Sequence, residues 1–136
     1  MGEMIERVKN INLEHKITFL GQVHFDKLFA ITSRADLGLS FEHDTCLAYR
    51  YSLPNKIFDY INAEIPVLIS DLPEFRTIIN TYKVGEVLNS RHPKDIANQI
   101  NQLLCVPKED WRDQLTLAKT QFNWAVERDK LLSFFR

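Results

Sequence analysis

Residues 52–70 read SLPNKIFDYINAEIPVLIS, a stretch that passes from a helix start through a tight turn into a buried strand. Ser52 is the expected N-cap, and Pro54 falls just inside the helix, where a missing amide hydrogen costs nothing and the fixed φ suits the first turn. Leu53, Ile57, Tyr60 and Ile61 recur at helical spacing and predict one buried stripe, which leaves Asn55, Lys56, Asp59 and Asn62 on the polar side. Pro66 to Ile69 is short, apolar and rich in β-branched residues, the pattern of a strand covered on both faces. Asp71, Pro73 and Glu74 then open another helix.

The flanking sequence continues the same alternation. Met4, Ile5, Val8 and Ile11 predict an amphipathic helix, and Ile17 to Leu20 a short strand ended by Gly21. Phe25, Leu28, Phe29 and Thr32 mark a second helix, Leu37 to Phe41 a second strand, and residues 42–51 a polar loop carrying His43, Asp44 and Arg50. Beyond the central stretch come a helix from Pro73 to Tyr82, a turn at Gly85 and a fourth strand from Glu86 to Asn89. From Pro93 onward the pattern is all helical. Ile96, Ile100, Leu103 and Leu104 share one face, Trp111, Leu115, Ala118 and Phe122 another, and Asn123 can cap a last helix that ends in Phe134 and Phe135.

Helices alternating with strands at this spacing predict an α/β fold, a Rossmann-like doubly wound parallel sheet of about four strands with helices on both faces. The α/β part spans about residues 1–92 and a helical extension about 93–136. In such sheets ligands lie beyond the carboxyl ends of the strands. That rim comprises residues 21–26, 42–56, 70–75 and 89–93.

The chain has 136 residues, 45% of them hydrophobic, which is enough for one core and too few for two. Seventeen basic against eighteen acidic residues leave a net charge of -1, with no basic block to track a nucleic acid backbone. No apolar run approaches the roughly 20 residues of a membrane span, and MGEMIERVKN lacks the apolar centre of a signal peptide, so a cytoplasmic location is expected. Cys46 and Cys105 have no partner at metal-ligand spacing and are expected as free thiols.

Several segments in order resemble the C-terminal, donor-binding half of GT-B glycosyltransferases, in particular the large retaining group 1, family 4-like enzymes that use nucleotide-diphosphate sugars. ITFLGQV at 17–23 is similar to that family's strand and turn beside the nucleotide base. RADLGLSF at 34–41 is similar to its next strand, and LPNKIFDYINAEIPVLISDLPE at 53–74 to its most recognisable stretch. VGEVLN at 84–89, the helix from Pro93 and FNW at 122–124 follow in family order.

The resemblance implies that the donor diphosphate rests at the helix start after Ser52, where free amides and the helix dipole stabilise the leaving group without a metal or other cofactor. The lack of any Asp-x-Asp triplet agrees with that. Asn55 belongs to this start, and Lys56 either reaches a phosphate as a point charge or pairs with Asp59 three residues on. Asp59 falls where the family has the second of two glutamates, whose carboxylate accepts hydrogen bonds from the ribose. The first falls at Tyr51, which either stacks or donates in its place or is a loop aromatic resting on the core. Gln22 and Val23 fall where the base is held, with His24 read as a helix-start residue, and Glu74 near the donor. Glu64 replaces the usual turn glycine, so it either takes a left-handed conformation at a cost of about 1 kcal/mol or the turn is reshaped.

By the same resemblance the chain is truncated at its N-terminus. Two strands from the middle of the family's sheet, the basic pair that grips the phosphates and the acceptor half would be missing, and MGEM at 1–4 is similar to the end of a glycine-rich turn. Two functions from different classes follow. One is the nucleotide-sugar-binding part of a glycosyltransferase, inactive without the acceptor half. The other is a non-catalytic binding module that dimerises through exposed sheet edges or pairs with another polypeptide through Trp124, Phe134 and Phe135.

Overall fold

The computed structural model describes residues 2–135. It is α/β, with three short parallel strands in the order β1 (Gly38–Ser40), β2 (Val67–Ile69) and β3 (Gly85–Val87). The register is Gly38 against Val67 and Val67 against Gly85, continuing in step. Ladder bonds extend beyond the strand ends, with Ser70 N–H donating to the Ser40 carbonyl at 3.0 Å and Leu88 N–H to the Ile69 carbonyl at 2.7 Å.

Every residue of β2 is fully buried, as a central parallel strand demands. Val67 and Ile69 face one side, where Ile57 and Ile61 of α4 (Asn55–Asn62), Phe75 and Ile78 of α5 (Pro73–Tyr82) and Leu115 and Ala118 of α7 (Lys108–Gln121) complete the main core. Leu68 faces the other side and packs with Leu88 and with Leu103 of α6 (Pro93–Leu104). Period-2 alternation in a buried strand thus feeds two cores at once. Leu104, expected on the same buried face as Leu103, is instead half exposed at the end of its helix.

The predicted strand at Ile17–Leu20 does not form. The segment is irregular, with Ile17, Phe19 and Leu20 all exposed, and the sheet has three strands rather than four. Its composition suits a strand, but a ladder needs a partner, and β1 is hydrogen-bonded only to β2 among the described residues. The helices on either side, α1 (Gly2–Asn10) and α2 (Phe25–Thr32), do form, and α2 packs against α4. Gly2 to Met4 belong to α1 rather than to a turn, while Met1 lies outside the described residues.

One turn is made differently from expectation, and a second takes one of its two expected forms. Gly85 is a strand residue, not the turn, and the left-handed residue is Lys83, which closes α5 with φ 52°. Gly85 is still required: at φ 157° it approaches β2 so closely that a Cβ would stand 1.9 Å from the Val67 carbonyl oxygen. Glu64 keeps the tight turn between α4 and β2 by taking φ 58°, the strained alternative of the two, and its carboxylate meets Lys119 of α7 at 3.1 Å.

The polar loop after β1 contains a single helical turn, α3 (Leu47–Arg50), closed by Arg50 donating to Asp44 from Nε at 3.0 Å and from Nη2 at 2.9 Å. At the other end of the chain, Asn123 caps α8 (Trp124–Ser133) as expected, its Oδ1 accepting from Val126 N–H at 3.1 Å. No described helix is long and apolar enough to cross a membrane.

Candidate functional site

Helix α4 positions the site, and its start differs from the expected cap. The helix begins at Asn55 with Pro54 at the N-cap position and no side-chain cap. Ser52 turns the other way and donates from Oγ to the Tyr49 carbonyl at 3.0 Å, finishing α3. Leu53, outside the helix, is 37% exposed rather than buried, and Ile57 and Ile61 alone make the fully buried part of the stripe. Tyr60 packs its ring over Gly38, where a Cβ would lie 2.4 Å from the ring, and its hydroxyl donates to the Leu39 carbonyl at 3.3 Å. Glycine in β1 therefore sets how near α4 lies to the sheet.

Beyond the carboxyl ends of the strands, four segments converge on Glu42. Its carboxylate accepts from Ser40 Oγ at 3.3 Å and from Lys56 Nζ at 3.1 Å. Its backbone carbonyl accepts from Ser70 Oγ at 2.6 Å and from Arg91 Nη2. Arg91 also donates to Ser70 Oγ at 3.0 Å, so the fully buried Ser70 hydroxyl is satisfied on both counts. Lys56 is thus paired with Glu42, not with Asp59.

Asp59, one turn further along α4, is half-buried, and among the described residues no side chain or backbone group bonds to its carboxylate. Burial pushes its pKa above the ordinary aspartate value, because the low-dielectric surroundings disfavour the charged form and no cation offsets them. The carboxylate lines a groove of about 440 Å³ between α2 and α4, with Phe29, Thr32, Asn62 and Trp124 among its walls. This lies within the usual size of small-molecule sites. Phe29 is 57% and Trp124 74% exposed, so two aromatic surfaces are open beside Asp59.

The Trp124 wall is held from within α4. Asn62 Nδ2 donates to the Phe58 carbonyl at 2.9 Å and across to the Phe122 carbonyl at 2.8 Å. The Phe122 ring in turn lies against Phe58 and Tyr82, with centroids 5.3 and 5.1 Å away. Capping by Asn123 then starts α8 at Trp124. A second groove, lined by Asn55, Phe58 and Glu127, continues on the far side of Asn62 and Trp124.

The structure therefore brings Asp59 and Asn55 to one continuous surface around Trp124, and Lys56 to the strand ends. Gln22 and Val23 lie in the loop that leads into α2, and Glu74 lies in the first turn of α5. None of these three lines the Asp59 groove. Tyr51 is 58% exposed at the end of α3, so it does not rest on the core. His24 occupies the N-cap position of α2. Glu42, Ser70, Arg91, Phe29 and Trp124 were not singled out by the sequence as site residues. The signal for the first three was their place: each is a polar residue within the rim or at its margin, at the first turn of chain beyond a strand.

The raised Asp59 pKa has a sign that can be measured. Between the unfolded and the higher folded value the folded chain binds more protons than the unfolded one, so this group's contribution to stability falls as pH rises through that window and stays lower above it. Asp59→Asn removes the titration. The variant is expected to gain stability relative to the parent as pH rises above the ordinary aspartate value of about 4 and to keep that gain at neutral pH, read from paired urea unfolding curves. A relative loss over that range would contradict an uncompensated carboxylate at this position.

Searches of curated proteins and of solved structures give no match. The family model described as glycosyl transferases group 1 matches residues 1–105, which takes in the whole sheet, both sides of the Asp59 groove formed by α2 and α4, and α6. On that match over most of its length, this chain belongs to the group 1 glycosyl transferases.

Proposed function

We propose that the chain is the part of a glycosyltransferase that binds the nucleotide-diphosphate sugar, with Asp59 accepting hydrogen bonds from the ribose hydroxyls. The observation that carries this reading is the half-buried, unpartnered carboxylate between two exposed aromatic side chains. A vicinal diol supplies two donors to a carboxylate that lacks any, and an aromatic face suits a base or sugar ring. The leaving diphosphate lies towards the start of α4, where Lys56 and the helix dipole favour negative charge. On the family resemblance we assign Gln22 and Val23 to the base and Tyr51, Ser52, Asn55 and Glu74 to secondary donor contacts, and neither a metal nor another cofactor takes part. An acceptor-binding half completes the enzyme, and residues 1–136 alone bind donor without transferring sugar.

The test is calorimetric titration of the chain with uridine, guanosine and adenosine diphosphates. One of them is expected to bind, and Asp59→Ala to weaken it about tenfold or more, as for loss of hydrogen bonds to a charged acceptor. No binding of any of the three at roughly millimolar concentration, or an unchanged affinity in Asp59→Ala, would refute the reading.

A second reading, a non-catalytic module that pairs with a copy of itself or with another polypeptide, is favoured by the exposed apolar end of the chain, where Phe134 and Phe135 are 84% and 81% exposed. Pairing through the β1 edge is opposed by Tyr60, whose hydroxyl already occupies the outward Leu39 carbonyl. Light scattering that finds only monomer at high concentration would remove self-association.

A further inference from the structure

We infer that Arg91 and Lys56 together form the diphosphate grip of this chain, and that the Glu42 carboxylate holds its Lys56 arm while the grip is empty. The inference rests on the donor-binding reading of Asp59 and adds to it residues that come from a different part of the sheet.

Lys56 and Arg91 are 35 residues apart in sequence, on the first turn of α4 and in the loop after β3. They meet at one residue: Lys56 Nζ on the Glu42 carboxylate at 3.1 Å and Arg91 Nη2 on the Glu42 carbonyl. Arg91 is anchored through that one nitrogen, to Glu42 and to the buried Ser70 hydroxyl at 3.0 Å. Its Nε and Nη1 have no hydrogen-bond partner among the described residues. A guanidinium held at one corner, with other N–H groups open, is pre-organised for a phosphate oxygen. Lys56 remains 61% exposed, so only its end is committed, whereas the Glu42 side chain is 21% exposed and confined against the strand ends.

The Glu42 carboxylate is what an arriving anion would displace. The Lys56 end of the pair is open to solvent, so Lys56 can exchange one partner for another. The two cations stand on the sheet side of the α4 start and Asp59 one turn further along, a rise of about 4.5 Å. Phosphates at the first and ribose at the second are therefore compatible with one nucleotide lying along the helix.

Inorganic pyrophosphate, titrated calorimetrically without divalent cations, isolates the grip from the rest of the nucleotide. Arg91→Ala and Lys56→Ala are each expected to weaken its binding about tenfold, and Arg91→Lys to restore only part of the loss because it lacks the fork. Glu42→Gln keeps the acceptor for Ser40 but removes the competing charge, so it is expected to bind pyrophosphate several-fold more tightly. This variant also covers the case in which Arg91→Ala does not fold. Pyrophosphate that does not bind the parent chain, or binds Glu42→Gln no more tightly than the parent, overturns the grip. Asp59→Ala is expected to leave pyrophosphate unaffected while weakening the nucleoside diphosphate. If instead pyrophosphate behaves as expected and no nucleoside diphosphate binds more tightly than it, the grip stands and the ribose role of Asp59 fails.

Discussion

Gly85→Ala is expected to destabilise the chain by at least about 3 kcal/mol, lowering its melting temperature by about 10 °C or more. The new Cβ would lie 1.9 Å from the Val67 carbonyl oxygen and 2.7 Å from its nitrogen. These are backbone atoms of the central strand, so no side-chain rotation relieves the overlap. Val67 is moreover fixed on that side, its N–H donating to the Val84 carbonyl at 3.0 Å. The φ of 157° lies where alanine is disfavoured independently of the contact. β3 would have to leave the sheet or shift its register, and a three-stranded sheet has no second partner to offer it. Thermal unfolding followed by circular dichroism measures the effect, and a variant melting within a few degrees of the parent would show that the strands are not this close.

Phe75→Ala is expected to cost about 3–5 kcal/mol. The ring is fully buried in the main core with Ile57, Ile61 and Ile69, where truncation removes its transfer free energy and leaves a cavity. These neighbours come from α4 and from the central strand β2, and the two cannot both close on the void. A chain of this size has a total stability of about 5–15 kcal/mol, so the variant is expected to lose a large share of it and to show a lower urea midpoint with a similar slope. Phe75 does not line the Asp59 groove. In the folded fraction, nucleotide affinity is expected to remain near that of the parent, and its loss there would mean that the groove depends on how α5 packs.

Much of the fold was legible where local chemistry and burial agree. α5 runs from Pro73 to Tyr82 as predicted, because proline suits a first turn and Phe75 and Ile78 repeat on one face. Asn123 was legible as a cap because its side chain serves the backbone three residues on, a contact made within the helix itself. The burial of Val67, Leu68 and Ile69 followed from an apolar run between turn signals. Ser52 misled for the same local reason: a good capping residue stood before Pro54, but α3, a turn too short to predict, took its hydroxyl.

The site was legible only in part. Asp59 could be proposed from the stretch around it, and the rim from the α/β alternation. The partner of Lys56 could not be read, since at helical spacing Asp59 was the nearer acid and Glu42 lies 14 residues back. Nor could the nearness of Phe29 and Trp124 to Asp59, which depends on the Asn62 bonds to Phe122 and on α2 packing against α4.

By itself the sequence determined which of the longer segments are helical, that the run from Pro66 to Ile69 is a buried strand, and that the chain is α/β with its polar rim beyond the strand ends. These follow from periodicity and turn chemistry, which act over a few residues. Only the tertiary structure decided that Ile17–Leu20 is not a strand, that Gly85 lies within β3, and that Lys56 and Arg91 converge on Glu42. Each of these depends on a partner distant in sequence: a ladder to join, a carbonyl 1.9 Å from an absent Cβ, a shared acceptor at the ends of three strands. Such partners are fixed by packing, and packing is not written in any one segment.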